Sequence, residues 1–266
     1  MTALTMTGVG FSYESKTVLK DVSFCLGKGK LVGIVGPNGG GKSTLLKMMA
    51  KQLAPQQGEI ILNGTSLADY SMKALAKVLA FLPQQPISPA GITVEQLVQY
   101  GRHPHQGWFS QWSDDDAAQV AKAIQWMKLE DLLQQPVASL SGGQRQRAWL
   151  AMILAQDTDV ILLDEPTSAL DIGHQIEVME SISQMVAMGK TVVLVIHDLA
   201  AAARYCDELV AIGEQGVVAA GPVTEVITKP MIDKLYNTHV DILTAPFDDA
   251  PVIVPRRQAD WKQIAG

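Results

Sequence analysis

An α/β fold with a mainly parallel sheet is what this chain predicts, on three observations. A short apolar run, Leu31-Val32-Gly33-Ile34-Val35, ends at a glycine-rich loop, and the loop leads into a helical stretch from Thr44 to Ala50. Two later runs, Val160-Ile161-Leu162-Leu163 and Thr191-Val192-Val193-Leu194-Val195-Ile196, are apolar throughout or nearly so, as strands buried on both faces are. Between them Ile172, Ile176, Met179, Ile182 and Val186 recur at helical spacing, and Gly189 stands where that helix would end. Strand and helix in alternation build a parallel sheet.

The other segments follow in order. Val18 to Leu26, with Gly27-Lys28-Gly29-Lys30 after it, and Gly58 to Leu62 before Asn63-Gly64, read as strands and tight turns of an N-terminal antiparallel β lobe. Residues from about Pro86 to Leu140, entered through a loop with Pro83, Pro86, Pro89 and Gly91, read as a mostly helical insert. Within it Arg102-His103-Pro104-His105 reads as a solvated turn and not a metal site, since no cysteine or carboxylate partners accompany the histidines. Asp114-Asp115-Asp116 reads as the start of a helix, whose positive end favours carboxylates, and Trp108, Phe109 and Trp112 as lobe packing or a partner contact. The tail from Pro222 carries Pro222, Pro230, Pro246, Pro251 and Pro255 and is only loosely assignable. The expected division is a core with its antiparallel lobe over 1–85 and 141–240, a helical subdomain over 86–140, and a tail over 241–266.

Bulk properties narrow the class. The chain has 266 residues, 47% hydrophobic and 18% charged, which describes an ordinary globular protein and excludes a disordered one. A net charge of −6 argues against a nucleic-acid partner, because phosphate backbones recruit basic surfaces. Cys25 and Cys206 are far apart and read as free thiols of a reducing compartment. Met1 to Gly10 lacks the basic start and apolar centre of a signal peptide, and no run approaches a membrane span. A transport role would therefore place the pore in another polypeptide.

The chemistry begins at Gly36-Pro37-Asn38-Gly39-Gly40-Gly41-Lys42-Ser43-Thr44. Glycines let backbone N–H groups turn toward phosphates, the following helix adds its dipole, Lys42 supplies positive charge to the β/γ oxygens, and the Ser43 hydroxyl can ligate Mg²⁺. The pattern alone arises by accident in roughly one chain in a hundred of this length. The apolar run over 160–163 then delivers Asp164-Glu165. Adjacent carboxylates let Asp164 serve the metal while Glu165 orients or deprotonates a water aimed at the γ-phosphate.

About a hundred residues after the glycine loop comes Leu140-Ser141-Gly142-Gly143-Gln144. With that string the chain resembles the ATP-binding cassette (ABC) ATPases over nearly its whole length. The resemblance implies a P-loop NTPase (RecA-like) ABC core that binds ATP with Mg²⁺ and hydrolyses it. It implies that Ser141, Gly142, Gly143 and Gln144 grip the γ-phosphate of ATP held by the opposite subunit, so the working unit is a homodimer. By the same resemblance Gln84 senses metal and water and links to the membrane partner, Ser168 to Asp171 cross the dimer interface, and His197 is a switch near the γ-phosphate. Tyr13 matches the aromatic that stacks on adenine, with a buried core tyrosine as the alternative. Gly40 departs from the family's more common alanine or serine.

Finer stretches narrow the likeness. Phe81 to Gln85, Gly91 to Val98, Gly101 to Pro104, Gln144 to Asp157 and Ala203 to Asp207 are similar to the ATPases of iron-siderophore importers. That implies an ATPase on the cytoplasmic face of the membrane, bound to integral permease subunits that a separate solute-binding protein supplies. Two neighbouring readings are a cobalamin or haem importer ATPase and a non-transport ATPase of iron–sulfur cluster assembly. An ATPase of a nucleic-acid remodelling complex is a third, which the acidic charge disfavours.

Overall fold

The computed structural model describes residues 2–107, 112–214, 216–246 and 248–257. In chain order the strands are β1 (Thr2–Tyr13), β2 (Lys16–Gly27), β3 (Leu31–Val35), β4 (Gln57–Leu62), β5 (Thr65–Ser66), β6 (Leu79–Leu82), β7 (Val160–Asp164), β8 (Thr191–Val195), β9 (Glu208–Ile212), β10 (Val217–Pro222), β11 (Val240–Thr244) and β12 (Pro251–Pro255). The α-helices are α1 (Lys42–Met49), α2 (Met72–Leu75), α3 (Val94–Tyr100), α4 (Asp114–Trp126), α5 (Gly142–Ala155), α6 (Ile172–Ala187), α7 (Leu199–Tyr205), α8 (Val223–Val226) and α9 (Lys229–Tyr236). Two compact units divide the chain, residues 1–67 with 194–266 and residues 68–193.

The first unit carries the antiparallel sheet, in the order β2-β1-β4-β5. Its one-sided burial is written in the alternation of β2, where Val22, Phe24 and Leu26 are buried and Ser23 and Cys25 are exposed. The alternation slips by one residue before Val22, where Val9 pairs with Val22 but Phe11 with Leu19, and Asp21 sits at φ 51. That is a bulge with its extra residue on β2, and pairing resumes beyond it to Tyr13↔Lys16. The same unit holds β3 beside β9 in parallel and β10 antiparallel on β9's other side. All five residues of β3 are buried, as a strand covered on both faces requires.

The tail is more ordered than its prolines suggest. β11 and β12 form an antiparallel hairpin from Val240↔Pro255 to Thr244↔Pro251, with the two prolines at the strand's ends, where a missing N–H costs least. Asp241 accepts hydrogen bonds from Arg256 and from Lys229, and these bonds hold its carboxyl well below the ordinary range.

In the second unit β6 and β7 run parallel, Leu79↔Val160 through Leu82↔Leu163. Within it the described residues of the stretch 86–140 contribute α3, α4 and three 3₁₀ turns, and α3 and α4 pack on α5. Ser113 caps α4, its hydroxyl accepting from the Asp116 N–H while Asp116 returns a bond to the Ser113 N–H. The apolar stripe of α6 is buried only from Val178 onward, while Ile172 and Ile176 at its start are exposed. Trp112 is exposed, and Trp108 and Phe109 lie outside the described residues.

Arg102 corrects the expectation of a solvated turn: it is among the most buried charges described. Its guanidinium donates to Asp116 Oδ1 at 2.7 Å, Asp115 Oδ2 at 2.9 Å and the Ala155 carbonyl at 3.0 Å, tying the turn after α3 to the start of α4 and the end of α5. His105 joins the same junction through a 2.8 Å contact with the Gln156 carbonyl. Burial by itself pushes the Asp116 carboxyl up, but bonds from Arg102 and Ser113 outweigh it and leave the group below its ordinary value. Arg102→Ala should cost about 3 kcal/mol, because it strands a buried carboxylate, and a denaturant titration reads the loss. In the wild type this contribution is present above about pH 4, where an unfolded aspartate is ionised, and is lost as pH falls through the depressed folded value.

Candidate functional site

The first unit builds the phosphate loop at the end of β3. Gly36 can be nothing else, since a Cβ there would lie 2.1 Å from the Ile212 carbonyl oxygen. Lys42 Nζ folds back to donate to the carbonyls of Gly36 at 2.9 Å and Pro37 at 2.8 Å, so the loop is closed around its own lysine. Gly40 N–H donates to the Pro37 carbonyl at 3.2 Å. A Cβ on Gly40 would come within 3.1 Å of that same oxygen, so the glycine at this position relieves a tight spot. Gly41, at φ 93, precedes α1 and has no side chain with which to cap it. A helix that begins with Lys42, Ser43 and Thr44 behind a run of glycines is suited to an anion at its positive end.

Tyr13 ends β1 and is 47% exposed, which removes the reading of a core tyrosine. Its ring meets that of Phe11 edge-on, with centroids 4.9 Å apart. His197 follows β8 on the surface, and Asp198 caps α7 by accepting from the N–H groups of Ala200 and Ala201. A residue that the sequence did not bring forward is Tyr236 on α9. Its hydroxyl is buried beside the Gly36 backbone; burial raises its pKa, and a hydrogen bond with that backbone partly offsets the rise. No local pattern signals that neighbour, because 200 residues separate them.

The second unit holds the carboxylates. Asp164 closes the fully buried β7 and is itself buried. Glu165 follows at φ 52, a left-handed conformation that a glutamate adopts at a cost, and its carbonyl accepts from the Ser168 N–H. Gln84, just past β6, donates from Nε2 to Glu165 Oε2 at 2.5 Å. The two residues are 81 positions apart in sequence and share one hydrogen bond. Among the described residues no three His, Cys, Asp or Glu side chains cluster as a metal site.

Ser141 to Gln144 form a helix start. Ser141 caps α5, its hydroxyl accepting from the Gln144 N–H, and Gln144 Oε1 accepts from the Ser141 N–H. The Ser141 side chain and Gly142 are exposed. Gly143 is buried against α6: a Cβ there would lie 2.1 Å from the His174 ring. That ring is held by Asp171, which accepts from the His174 N–H at 2.9 Å and contacts Nδ1 at 2.8 Å. The backbone bond and then the ring bond hold the Asp171 carboxyl below its usual value. Asp171, already expected at a subunit boundary, is thus linked through His174 to the turn at Ser141 to Gly143. A helix-capping aspartate followed three residues later by histidine was the available signal for it. Nearby, a cavity of about 600 Å³ is lined by Gln84, Gln85, Gly142, Arg145, Trp149 and Ala169, among others.

The chain is similar to known proteins over most of its length. The family described as ABC transporter matches residues 19–168. The chain is 44% identical to the achromobactin transport ATP-binding protein of Dickeya dadantii (strain 3937), over 96% of this chain and 95% of the relative. It is 41% identical to a protein described as the ATP-binding protein of a siderophore transport system in Bacillus subtilis (strain 168), over 96% and 93%. Among solved structures, one described as a metal-chelate type ABC transporter in an inward-facing conformation superposes with a TM-score of 0.84 at 27% identity, covering 97% of this chain and 99% of that one.

Proposed function

The chain belongs to the ABC transporter family of ATPases, and from that premise we propose that it energises uptake of a ferric siderophore through a membrane permease. The substrate class rests on relatives whose names carry siderophore transport and on the likeness of the stretches around α3 and α5. Among the described residues no helix is long and apolar enough to cross a membrane. On this reading the ATPase sits on the cytoplasmic face, bound to a pair of permease subunits that a solute-binding protein loads.

In the reaction, the N–H groups of Gly36 to Thr44 and the Lys42 ammonium hold the β- and γ-phosphates, and Tyr13 offers a face to adenine. Buried Asp164, a hydroxyl at Ser43 and the amide oxygen of Gln84 are hard oxygen donors of the kind Mg²⁺ takes alongside phosphate and water. Bound there, the ion would neutralise charge on the phosphates. Glu165 holds the attacking water and accepts its proton, and His197 donates toward the γ-phosphate. Ser141, Gly142, Gly143 and Gln144 of a second copy close the site from the other side with a second helix start.

The observation that carries the coupling is the Gln84–Glu165 hydrogen bond. It joins the residue that orients water to the loop leading into the helical stretch, so a permease pressing on that loop moves the carboxylate. Purifying the native complex through this subunit should recover an integral membrane permease by mass spectrometry. Recovery of only soluble assembly factors would contradict a transport role.

A further inference from the structure

β1 leaves its ladder with β4 before it reaches Tyr13. Its last residue paired with β4 is Gly10, opposite Gln57, and the three residues beyond have no strand on that side. Gln56 fills the gap. Its backbone N–H donates to the Gly10 carbonyl at 2.9 Å. Its side-chain amide then exchanges two bonds with Ser12: Oε1 accepts from the Ser12 N–H at 2.8 Å, and Nε2 donates to the Ser12 carbonyl at 3.0 Å. Those are the two bonds a facing residue of an antiparallel strand would exchange. On the other side Ser12 and Tyr13 pair with Thr17 and Lys16 across a two-residue turn in which Glu14 sits at φ 50.

We propose that Gln56 is a positioning residue for the nucleotide base: its amide stands in for a strand and fixes the exit of β1 so that Tyr13 presents its ring to adenine. This rests on the reading of Tyr13 as the base-stacking residue. Tyr13 and Gln56 are both exposed, so without the clip the hairpin end would be free to swing and stacking would have to order it. The chemistry needs an amide, since one end must accept and the other donate.

The test uses the full chain, with equilibrium binding of ATP and of inorganic triphosphate measured for the wild type and four variants. Gln56→Ala should weaken ATP about fivefold to tenfold, as expected for two lost hydrogen bonds, and leave triphosphate unchanged. Gln56→Glu, which keeps the acceptor and loses the donor, should recover part of the ATP affinity. Tyr13→Ala should weaken ATP by at least as much as Gln56→Ala, and adding Gln56→Ala to it should change ATP binding less than about twofold. If Tyr13→Ala leaves ATP affinity intact, the base-stacking reading fails and this inference fails with it. If Tyr13→Ala weakens ATP but Gln56→Ala does not, only the clip is overturned. Equal losses for ATP and triphosphate, or a full Gln56 effect in the Tyr13→Ala background, would also overturn it by showing general disruption of the lobe.

Discussion

Glu165→Gln should bind ATP with Mg²⁺ and hydrolyse it at least about a hundredfold more slowly, the loss expected when a positioned general base is removed. The substitution keeps the side chain's length and an oxygen, so on the proposed role of Glu165 binding should be spared while the proton acceptor is lost. Lys42→Ala provides the contrast. Lys42 is buried and ties the phosphate loop to itself through two carbonyls, so its loss should raise the nucleotide dissociation constant before turnover is considered. Steady-state turnover with a parallel nucleotide titration separates the two. Near-wild-type turnover in Glu165→Gln would remove the carboxylate from its role.

The second large effect concerns assembly. In a Glu165→Gln background MgATP should drive the chain into a dimer, and Ser141→Arg should abolish it, as read by light scattering or sedimentation. Ser141 is exposed and caps α5, so arginine both removes the cap and sets bulk where a phosphate from the opposite copy would approach. A stable ATP-bound monomer of the Glu165→Gln protein would contradict composite sites. The His174 ring packs behind Gly143, so the turn is filled on its buried side while Ser141 and Gly142 stay exposed on the other.

What the sequence revealed was what repeats locally. β3 and β7 were legible because strands buried on both faces read as unbroken apolar runs, and each delivers its motif directly. The helix starting at Lys42 came two residues earlier than expected, since a glycine-rich loop gives no apolar periodicity to mark its end. β1 was hidden because its bulge against β2 and its glycines break the period of two. The hairpin of β11 and β12 was hidden by prolines that prove to sit at strand ends. Arg102 was misread because its partners Asp115 and Asp116 looked like ordinary helix-start carboxylates, and only packing showed them enclosing a guanidinium. The Gln84–Glu165 and Gln56–Ser12 bonds join residues 81 and 44 positions apart, which no window along the chain can pair.

The central claim is that ATP hydrolysis by this chain powers ferric-siderophore uptake. The direct measurement is uptake of iron-labelled siderophores by cells lacking the gene, complemented with the wild type or with Glu165→Gln, alongside cobalamin, zinc and manganese uptake. Wild type should restore transport of one or more ferric siderophores, Glu165→Gln should not, and the other three substrates should be unaffected throughout. Undiminished siderophore uptake without the gene would contradict the account, and loss of cobalamin uptake in its place would move the substrate to cobalamin.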